Sequence, residues 1–210
     1  MRTIQTNLYK FDELSDKAKE RAREWFRRCD DGEFAEYVFD DVATIADIIG
    51  IDLRQTRTDK GRYKPTIYYS GFSSQGDGAC FTGNYSYKKG ALKNMKAHIG
   101  NTSAGDIELL RICKSLQEVQ TRNFYKLTAK CEHLGHYYHS GRMLVDVENS
   151  DDPYRDIGES ETTVRQIMRD FADYIYQQLE TEYDYQNSDA VVDENIAANE
   201  YEFYEDGGIA

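Results

Sequence analysis

The sequence predicts an α+β fold, with an antiparallel sheet of about five strands and helices packed mainly on one face of that sheet. Two pairs of strand-like segments are each joined by a turn, which is typical of antiparallel hairpins. Segments with apolar residues every three or four positions fall in blocks instead of alternating with single strands. Of the 210 residues 40% are apolar, enough to bury a core. We expect one domain over residues 1–187 and an acidic, aromatic C-terminal extension, a helix and tail, over 188–210.

The first 50 residues predict one strand and two helices. Thr3–Phe11 alternates like a strand. A helix then starts at Ser15 or Asp12, because both side chains can cap an N-terminus and apolar residues follow at helical spacing. A second helix spans about Glu33–Ile49, and Gly50 is placed to end it.

Two hairpins are predicted further along the chain. Thr66–Phe72 and Ala79–Tyr87 are rich in aromatic and β-branched residues and should pair antiparallel. Phe124–His133 should pair with Arg142–Glu148 around a tip rich in histidine and tyrosine. Ile51–Lys64 loses its periodicity among charged residues, and Asp59-Lys60-Gly61 predicts an exposed turn.

The remaining helices follow from apolar residues at helical spacing. They are expected over Ala91–Ile99, Asp106–Arg122 and Glu159–Tyr185. Ser188 or Asp189 can cap a further short helix in the C-terminal extension.

The acidic end of the chain is its clearest compositional signal. The formal net charge is −12, and no Lys or Arg occurs between Asp170 and Ala210, where twelve acidic and eight aromatic residues lie. Such a surface attracts a basic protein and repels phosphates, so we expect no direct contact with nucleic acid. The residues expected to bind the partner are Tyr183, Tyr185, Glu200, Tyr201, Glu202, Phe203, Tyr204, Glu205 and Asp206.

A glycine-rich string between the strands of the first hairpin is the most distinctive motif. Gly71, Gly76 and Gly78 give the backbone freedom that a sharp turn requires. A phosphate cradle is the rival interpretation, but neither GxxxxGK[ST] nor GxGxxG is present. The loop residues that could contact a partner are Phe72, Gln75, Asp77, Tyr137 and Tyr138.

Asp77-Gly78-Ala79-Cys80 resembles the Asp-Gly-x-Cys nucleophile motif of the ovarian-tumour class of cysteine proteases. That resemblance implies Cys80 and Asp77 as catalytic candidates, with His136 or His139 as the base. In that class the cysteine opens a helix, whereas Cys80 leads into a strand-like segment. We therefore predict a buried, unreactive Cys80 and keep the hydrolase as an alternative.

Cys131, His133, His136 and His139 could ligate a metal if they lay on one helix face. Their flanks are strand-like, however, and only Cys131 and His133 then share a face. We expect an exposed aromatic–imidazole tip with no metal and no other cofactor.

Several strings together resemble a family of small proteins carried by phages, prophages and plasmids. The strings are 11–15, 69–81, 135–141 and 199–203, and the resemblance spans nearly the whole chain. Members are commonly labelled antitoxins of a toxin–antitoxin stability system, which implies a neutralising, protein-binding role. The genomic setting equally implies a counter-defence role, such as blocking a host nuclease or CRISPR complex.

We therefore expect a non-enzymatic inhibitor from a mobile element, binding a basic surface on a toxin or on a nucleic-acid-binding defence protein. A structural phage component is a further alternative. No apolar run approaches the roughly 18 residues of a membrane span, and no signal region is present. The expected location is the cytoplasm, that of the host cell for a phage protein.

Overall fold

The computed structural model describes residues 6–29, 34–59, 61–99 and 104–210. These residues contain six α-helices and antiparallel strand pairs, so the chain is mixed α+β as predicted. The largest sheet has four strands, against about five predicted. Helix packing mainly on one face of the sheet stays a prediction. The chain divides into two compact units: unit 1 comprises Met1–Glu36 and Thr181–Ala210, and unit 2 comprises Tyr37–Glu180.

The elements are numbered in chain order. The strands are β1 (Tyr9–Lys10), β2 (Ile51–Leu53), β3 (Gln55–Arg57), β4 (Tyr63–Pro65), β5 (Ile67–Tyr69), β6 (Ala79–Phe81), β7 (Gly83–Ser86), β8 (Leu127–His133), β9 (Met143–Asn149) and β10 (Glu202–Phe203). The helices are α1 (Asp16–Arg27), α2 (Phe34–Ile49), α3 (Ala91–His98), α4 (Ala104–Arg122), α5 (Glu159–Gln186) and α6 (Asp189–Ala198).

β5 pairs antiparallel with β6, and β8 pairs antiparallel with β9 from Leu127↔Asn149 to His133↔Met143, which confirms these two predicted pairings. Gly83–Ser86, the second half of the strand predicted over Ala79–Tyr87, pairs with β2 and β8 instead. β9 alternates strictly between buried and exposed residues, as a strand with one face on a core should. The four-stranded sheet has the order β2-β7-β8-β9.

Two predictions for the N-terminal half of the chain differ from the structure. Within the segment predicted as a strand over Thr3–Phe11, only Tyr9–Lys10 is a strand, and residues 3–5 lie outside the described residues. The segment Ile51–Lys64, in which the sequence shows no periodic pattern, contains β2, β3 and most of β4. β3 is exposed at all three residues, so its side chains carry no apolar alternation to detect.

The helix boundaries agree closely with the predicted ones. Ser15 caps α1, its hydroxyl accepting the Ala18 N–H at 3.4 Å. Gly50 follows the end of α2 with φ +91°, the conformation expected of a glycine that ends a helix. The predicted start of that helix, Glu33, lies outside the described residues.

Three bent strands exchange partners at a single junction in unit 2. The segments 51–57, 63–69 and 79–86 each contain two strands separated by one residue: Arg54, Thr66 and Thr82. The Arg54 N–H donates to the Thr82 carbonyl at 2.8 Å, the Thr82 N–H to the Thr66 carbonyl at 3.0 Å, and the Thr66 N–H to the Arg54 carbonyl at 2.7 Å. This closed ring satisfies the backbone groups where each ladder would otherwise break.

Polar contacts tie two helices of unit 2 to the sheet. The buried Gln120 amide of α4 donates to the Tyr85 hydroxyl at 3.1 Å and to the Leu127 carbonyl at 2.7 Å. The Arg165 guanidinium of α5 donates to the Val145 carbonyl of β9 at 3.2 Å. The Gln120 side chain is 0% exposed, and these bonds offset the cost of burying its amide.

Unit 1 has its own core, formed where the two ends of the chain meet. β1 pairs antiparallel with β10, so Tyr9 lies opposite Phe203, and Phe203 also bridges to Ile209. The buried residues of this core are Phe11, Leu14, Ala18, Ala22, Val192, Ile196 and Phe203. Residues 188–210 thus contribute to the same compact unit as α1, whereas the sequence predicts them as an extension.

We expect Gly83→Ala to destabilise unit 2 by about 2–3 kcal/mol. A Cβ at Gly83 would lie 2.5 Å from the Asp52 carbonyl oxygen, and backbone beside the strand junction cannot move aside. Gly71→Ala is the matched control, because its Cβ would meet only the Asp77 carboxylate at 3.7 Å. Urea denaturation followed by far-UV circular dichroism measures both variants, and equal midpoints would contradict the expectation.

We expect Gly207→Ala to destabilise unit 1 by more than about 2 kcal/mol, combining a left-handed conformation with a clash. Gly207 has φ +82°, and its Cβ would lie 2.1 Å from the Ala18 carbonyl oxygen. The single tryptophan of the chain, Trp25, packs on Tyr201 and Phe203, so its fluorescence reports unfolding of unit 1. Gly208→Ala, in the same turn, should leave the fluorescence midpoint nearly unchanged, because its closest neighbours are flexible side-chain ends.

Candidate functional site

The glycine-rich string forms a closed loop between β5 and β6, as predicted. The Ser70 N–H donates to the Gly78 carbonyl at 3.1 Å, and the Gly78 N–H donates to the Ser70 hydroxyl at 3.2 Å. Within the loop the Asp77 carboxylate accepts the N–H groups of Ser74 at 2.6 Å and Ser73 at 3.0 Å. The Ser74 bond is the main reason why the pKa of Asp77 is lowered. Asp77 therefore holds the loop together as a carboxylate.

The glycine-rich loop lies directly against the histidine-rich tip between β8 and β9. A Cβ on Gly78 would lie only 2.8 Å from the His139 Cα, so the close approach requires glycine at this position. His139 is turned toward its own segment, its Nδ1 accepting the Gly141 N–H at 3.0 Å. Two motifs about 60 residues apart in sequence thus form one continuous surface.

An aromatic cluster occupies this surface. The rings of Tyr68 and Tyr138 stack at 5.6 Å, and His133 lies 4.9 Å from Tyr68 and 5.1 Å from Tyr138 between ring centroids. The His133 Nε2 hydrogen bonds with the Tyr137 carbonyl at 3.3 Å, and since a carbonyl only accepts, this nitrogen donates. Tyr137 is 64% exposed and Leu134 is 54% exposed. We call Tyr68, His133, Leu134, Tyr137 and Tyr138 the tip cluster.

A second group of rings lies on the other face of β5. Phe72 contacts Tyr69 and Tyr176, with centroids 6.2 and 5.5 Å away, and the Tyr176 hydroxyl donates to the Gly71 carbonyl at 3.0 Å. Partial burial, followed by the charges of Glu180 and Asp77, raises the pKa of Tyr176. These rings hold the loop against α5, and Gln75 at the loop tip is exposed.

The catalytic candidates are not arranged as a nucleophile and base. Cys80 is 0% exposed, as its strand-like flanks predict, and burial raises the pKa of its thiol to about 12. A thiol with this pKa stays protonated at neutral pH and is a poor nucleophile. Asp77 is engaged with its own loop, while His136 and His139 are exposed.

The four metal-ligand candidates are divided between the core and the surface. Cys131 is 1% exposed, and burial raises the pKa of its thiol to about 12. His133 packs on two tyrosines of the tip cluster, whereas His136 and His139 face solvent. Within the described residues, no three His, Cys, Asp or Glu side chains come together in a group that could hold a metal ion.

Four of the twelve acidic residues between Asp170 and Ala210 form ion pairs with described basic residues of unit 1. Asp193 accepts two bonds from the Arg23 guanidinium, at 2.6 and 2.7 Å. Asp206 pairs with Arg21, and its pKa is lowered by the Gly208 N–H first and by Arg21 second. Further pairs join Lys10 to Glu202 at 3.3 Å and Arg27 to Asp189. These carboxylates therefore bind bases of the same chain.

The aromatic residues expected to bind a partner at this end have mixed positions. Phe203 instead lies in the core of unit 1, 0% exposed, because β1 and α1 cover it. Tyr201 is half-buried against Trp25, with ring centroids 5.1 Å apart, and Tyr183 lies 5.7 Å from Phe34. Tyr185 and Tyr204 are exposed. Tyr204 borders a cavity of about 450 Å³ together with Trp25.

Glu200 and Glu205 remain exposed, and neither forms an ion pair with any described residue. Glu200 adopts a positive φ of 55°, and its carbonyl accepts the Lys10 ammonium at 2.8 Å. The backbone carbonyl of Glu200 thus binds Lys10 within unit 1, while its carboxylate is exposed to solvent.

The chain belongs to the family described as a domain of unknown function, DUF8835, which matches residues 34–189. That match includes the glycine-rich loop and the tip cluster and ends before the last 21 residues. Comparison with curated proteins and with solved structures gives no match.

In the part of the chain that the structure describes, every helix is too short or too polar to cross a membrane.

Native thiol labelling should modify one cysteine per chain, Cys29, and leave three unreacted. Cys29 is exposed, whereas Cys80, Cys113 and Cys131 are buried and the pKa of each is raised by that burial. Iodoacetamide at neutral pH, followed by mass spectrometry of the intact protein, counts the modified thiols. Cys29→Ser should abolish native labelling, and urea should expose the other three. Rapid native modification of Cys80 would overturn the assignment of that residue to the core.

Proposed function

We propose that this protein is a non-enzymatic inhibitor that acts by binding another protein through the tip cluster. The observation that supports this proposal is the stacked group of Tyr68, His133 and Tyr138, beside which Leu134 and Tyr137 are exposed. Tyrosine is enriched among the residues that dominate binding energy at protein interfaces. A cluster of this kind gives large contact area for little loss of side-chain entropy.

The cluster is held in a defined shape before any partner binds. Tyr68 lies on β5 opposite Cys80, and His133 ends β8 opposite Met143, so both rings start from paired strands. The mutual stacking of Tyr68, His133 and Tyr138 further restricts their rotamers. Preorganised side chains lose less entropy on binding, which favours affinity.

A basic partner fits both the rings and the charge of the chain. Arg and Lys side chains bind tyrosine faces through cation–π contacts. The net charge of −12 steers a basic protein toward this chain, and unpaired carboxylates such as Glu200 and Glu205 add to that attraction. The acidic end then acts on the rate of association, while the tip cluster provides the anchors.

The resemblance to proteins of phages, prophages and plasmids indicates the partner class. We infer a toxin or a nucleic-acid-binding defence protein, such as a host nuclease or CRISPR complex, and a site of action in the cytoplasm. An acidic protein can occupy a nucleic-acid groove by presenting carboxylates in place of phosphates. The alternative of a hydrolase built on Cys80 has lost its main support, because that thiol is buried and protonated.

The proposal predicts that Tyr68→Ala and Tyr137→Ala each weaken binding of a host partner by at least about tenfold, the range of interface anchors. Tyr154→Ala is the matched control, since Tyr154 is 98% exposed in the same unit and should have no effect. Affinity capture from host extract at two salt concentrations identifies the partner, and surface-binding kinetics with the purified partner compares the variants.

Two outcomes would overturn this assignment. The first is that Glu200→Lys/Glu205→Lys loses binding while Tyr68→Ala and Tyr137→Ala dissociate at the wild-type rate. The residues that anchor the partner would then lie in the acidic end. The second is that no captured host protein binds the wild type more tightly than Tyr137→Ala, which would contradict an inhibitor that acts through the tip cluster.

A further inference from the structure

β3 and β4 form a two-stranded ribbon whose turn is closed by hydrogen bonds. Thr56 lies opposite Lys64, and Arg57 lies opposite Tyr63. At the turn the Thr58 N–H donates to the Arg62 carbonyl at 2.7 Å, and the Thr58 hydroxyl accepts the Arg62 N–H at 3.1 Å. We call residues 54–59 and 61–64 the basic ribbon.

The basic ribbon is positively charged, whereas the chain as a whole is negatively charged. It contains four basic residues and one acidic residue, Asp59, within ten positions of a chain whose net charge is −12. The basic residues are Arg54, Arg57, Arg62 and Lys64. All four are exposed, and none forms an ion pair with a described residue.

The basic side chains lie on both faces of the ribbon. Cross-strand partners share a face and successive residues alternate, so Arg54, Arg62 and Lys64 lie on the face of Thr56. Arg57 lies on the opposite face with Tyr63, whose side chain is 70% exposed. A flat acidic surface could meet only one of these faces at a time.

We propose that the basic ribbon binds double-stranded DNA by entering the major groove. That groove admits a two-stranded ribbon and is bordered by a phosphate backbone on each side, which suits basic groups on both faces. Guanidinium groups bind phosphates through paired hydrogen bonds, and Tyr63 can contact a base edge or sugar. The major groove of A-form RNA is too narrow for a ribbon, so duplex DNA is favoured over duplex RNA.

The sequence predicts no contact with nucleic acid because the carboxylates of the acidic end repel phosphates. Those carboxylates near the C-terminus lie in unit 1, whereas the basic ribbon lies in unit 2. The acidic end repels phosphates, whereas the ribbon attracts them. This proposal is independent of the protein partner inferred for the tip cluster.

The test is fluorescence anisotropy of a labelled 24-base-pair duplex with the full chain between 50 and 200 mM NaCl, a range in which phosphate contacts are strongly screened. We expect log K to fall with log[salt] with a slope of about −4, since each neutralised phosphate contributes about −0.9. The variant Arg57→Gln/Arg62→Gln/Lys64→Gln should lose at least about tenfold in affinity at 100 mM NaCl and flatten the slope by about 3.

A matched control separates a ribbon contact from general electrostatics. Lys89→Gln/Lys93→Gln/Lys96→Gln makes the same change in charge in unit 2, at exposed residues that form no ion pair with a described residue, and should change affinity less than about threefold. Equal thermal midpoints of the two variants confirm that both are folded.

Three results would overturn the proposal. They are no binding by the wild type at 50 mM NaCl, equal loss of affinity in the two triple variants, and binding of single-stranded DNA or duplex RNA at least as tight as that of duplex DNA. Displacement of DNA by an equal concentration of a poly-glutamate peptide would assign the ribbon to an acidic protein instead.

Discussion

The ring of backbone hydrogen bonds between Arg54, Thr66 and Thr82 is the constraint on which unit 2 depends. Each segment enters this junction paired with one neighbour and leaves it paired with another. Three strand pairs thereby start from the junction. β5 and β6 lead to the glycine-rich loop, β3 and β4 form the basic ribbon, and β2 and β7 belong to the four-stranded sheet. Because the ring leaves no backbone group unsatisfied there, the strands can bend without the cost of an orphaned N–H or carbonyl.

In unit 1 the equivalent constraint is the pairing of the two chain ends. Lys10, Arg21 and Arg23 meet the carboxylates of Glu202, Asp206 and Asp193, and Phe203 fills the core that the pairing encloses. Burying a phenylalanine contributes about 1.5–3 kcal/mol, whereas each exposed ion pair contributes at most about 1 kcal/mol. Apolar burial therefore sets the stability of this unit, and the ion pairs fix its register and reduce self-repulsion.

Elements held by interactions between neighbouring residues are predicted from the sequence, whereas contacts between distant residues are not. Helix caps at Ser15 and Gly50 and the hairpins over 67–81 and 127–149 depend on neighbouring residues, and their local patterns predict them. The burial of Phe203 depends on residues about 190 positions earlier, so composition suggests an exposed acidic tail. The sequence does not predict β2, because its partner β7 lies about 30 positions away, or β3 and β4, because their exposed residues show no apolar alternation. The loop and the tip are each recognisable alone, but only the fold brings Gly78 against His139.

The two proposed binding surfaces share one stretch of chain. Lys64 and Tyr68 lie four residues apart, on either side of Thr66, whose hydroxyl lies 2.6 Å from that of Thr56. A shift of this strand along its register would move the basic ribbon and the tip cluster together, because successive residues alternate between faces. The strand junction prevents such a shift by fixing Thr66 through both its N–H and its carbonyl. The same three hydrogen bonds thus hold the aromatic anchors and the basic groups in their positions, which explains how a segment with three-residue strands can present two ordered surfaces.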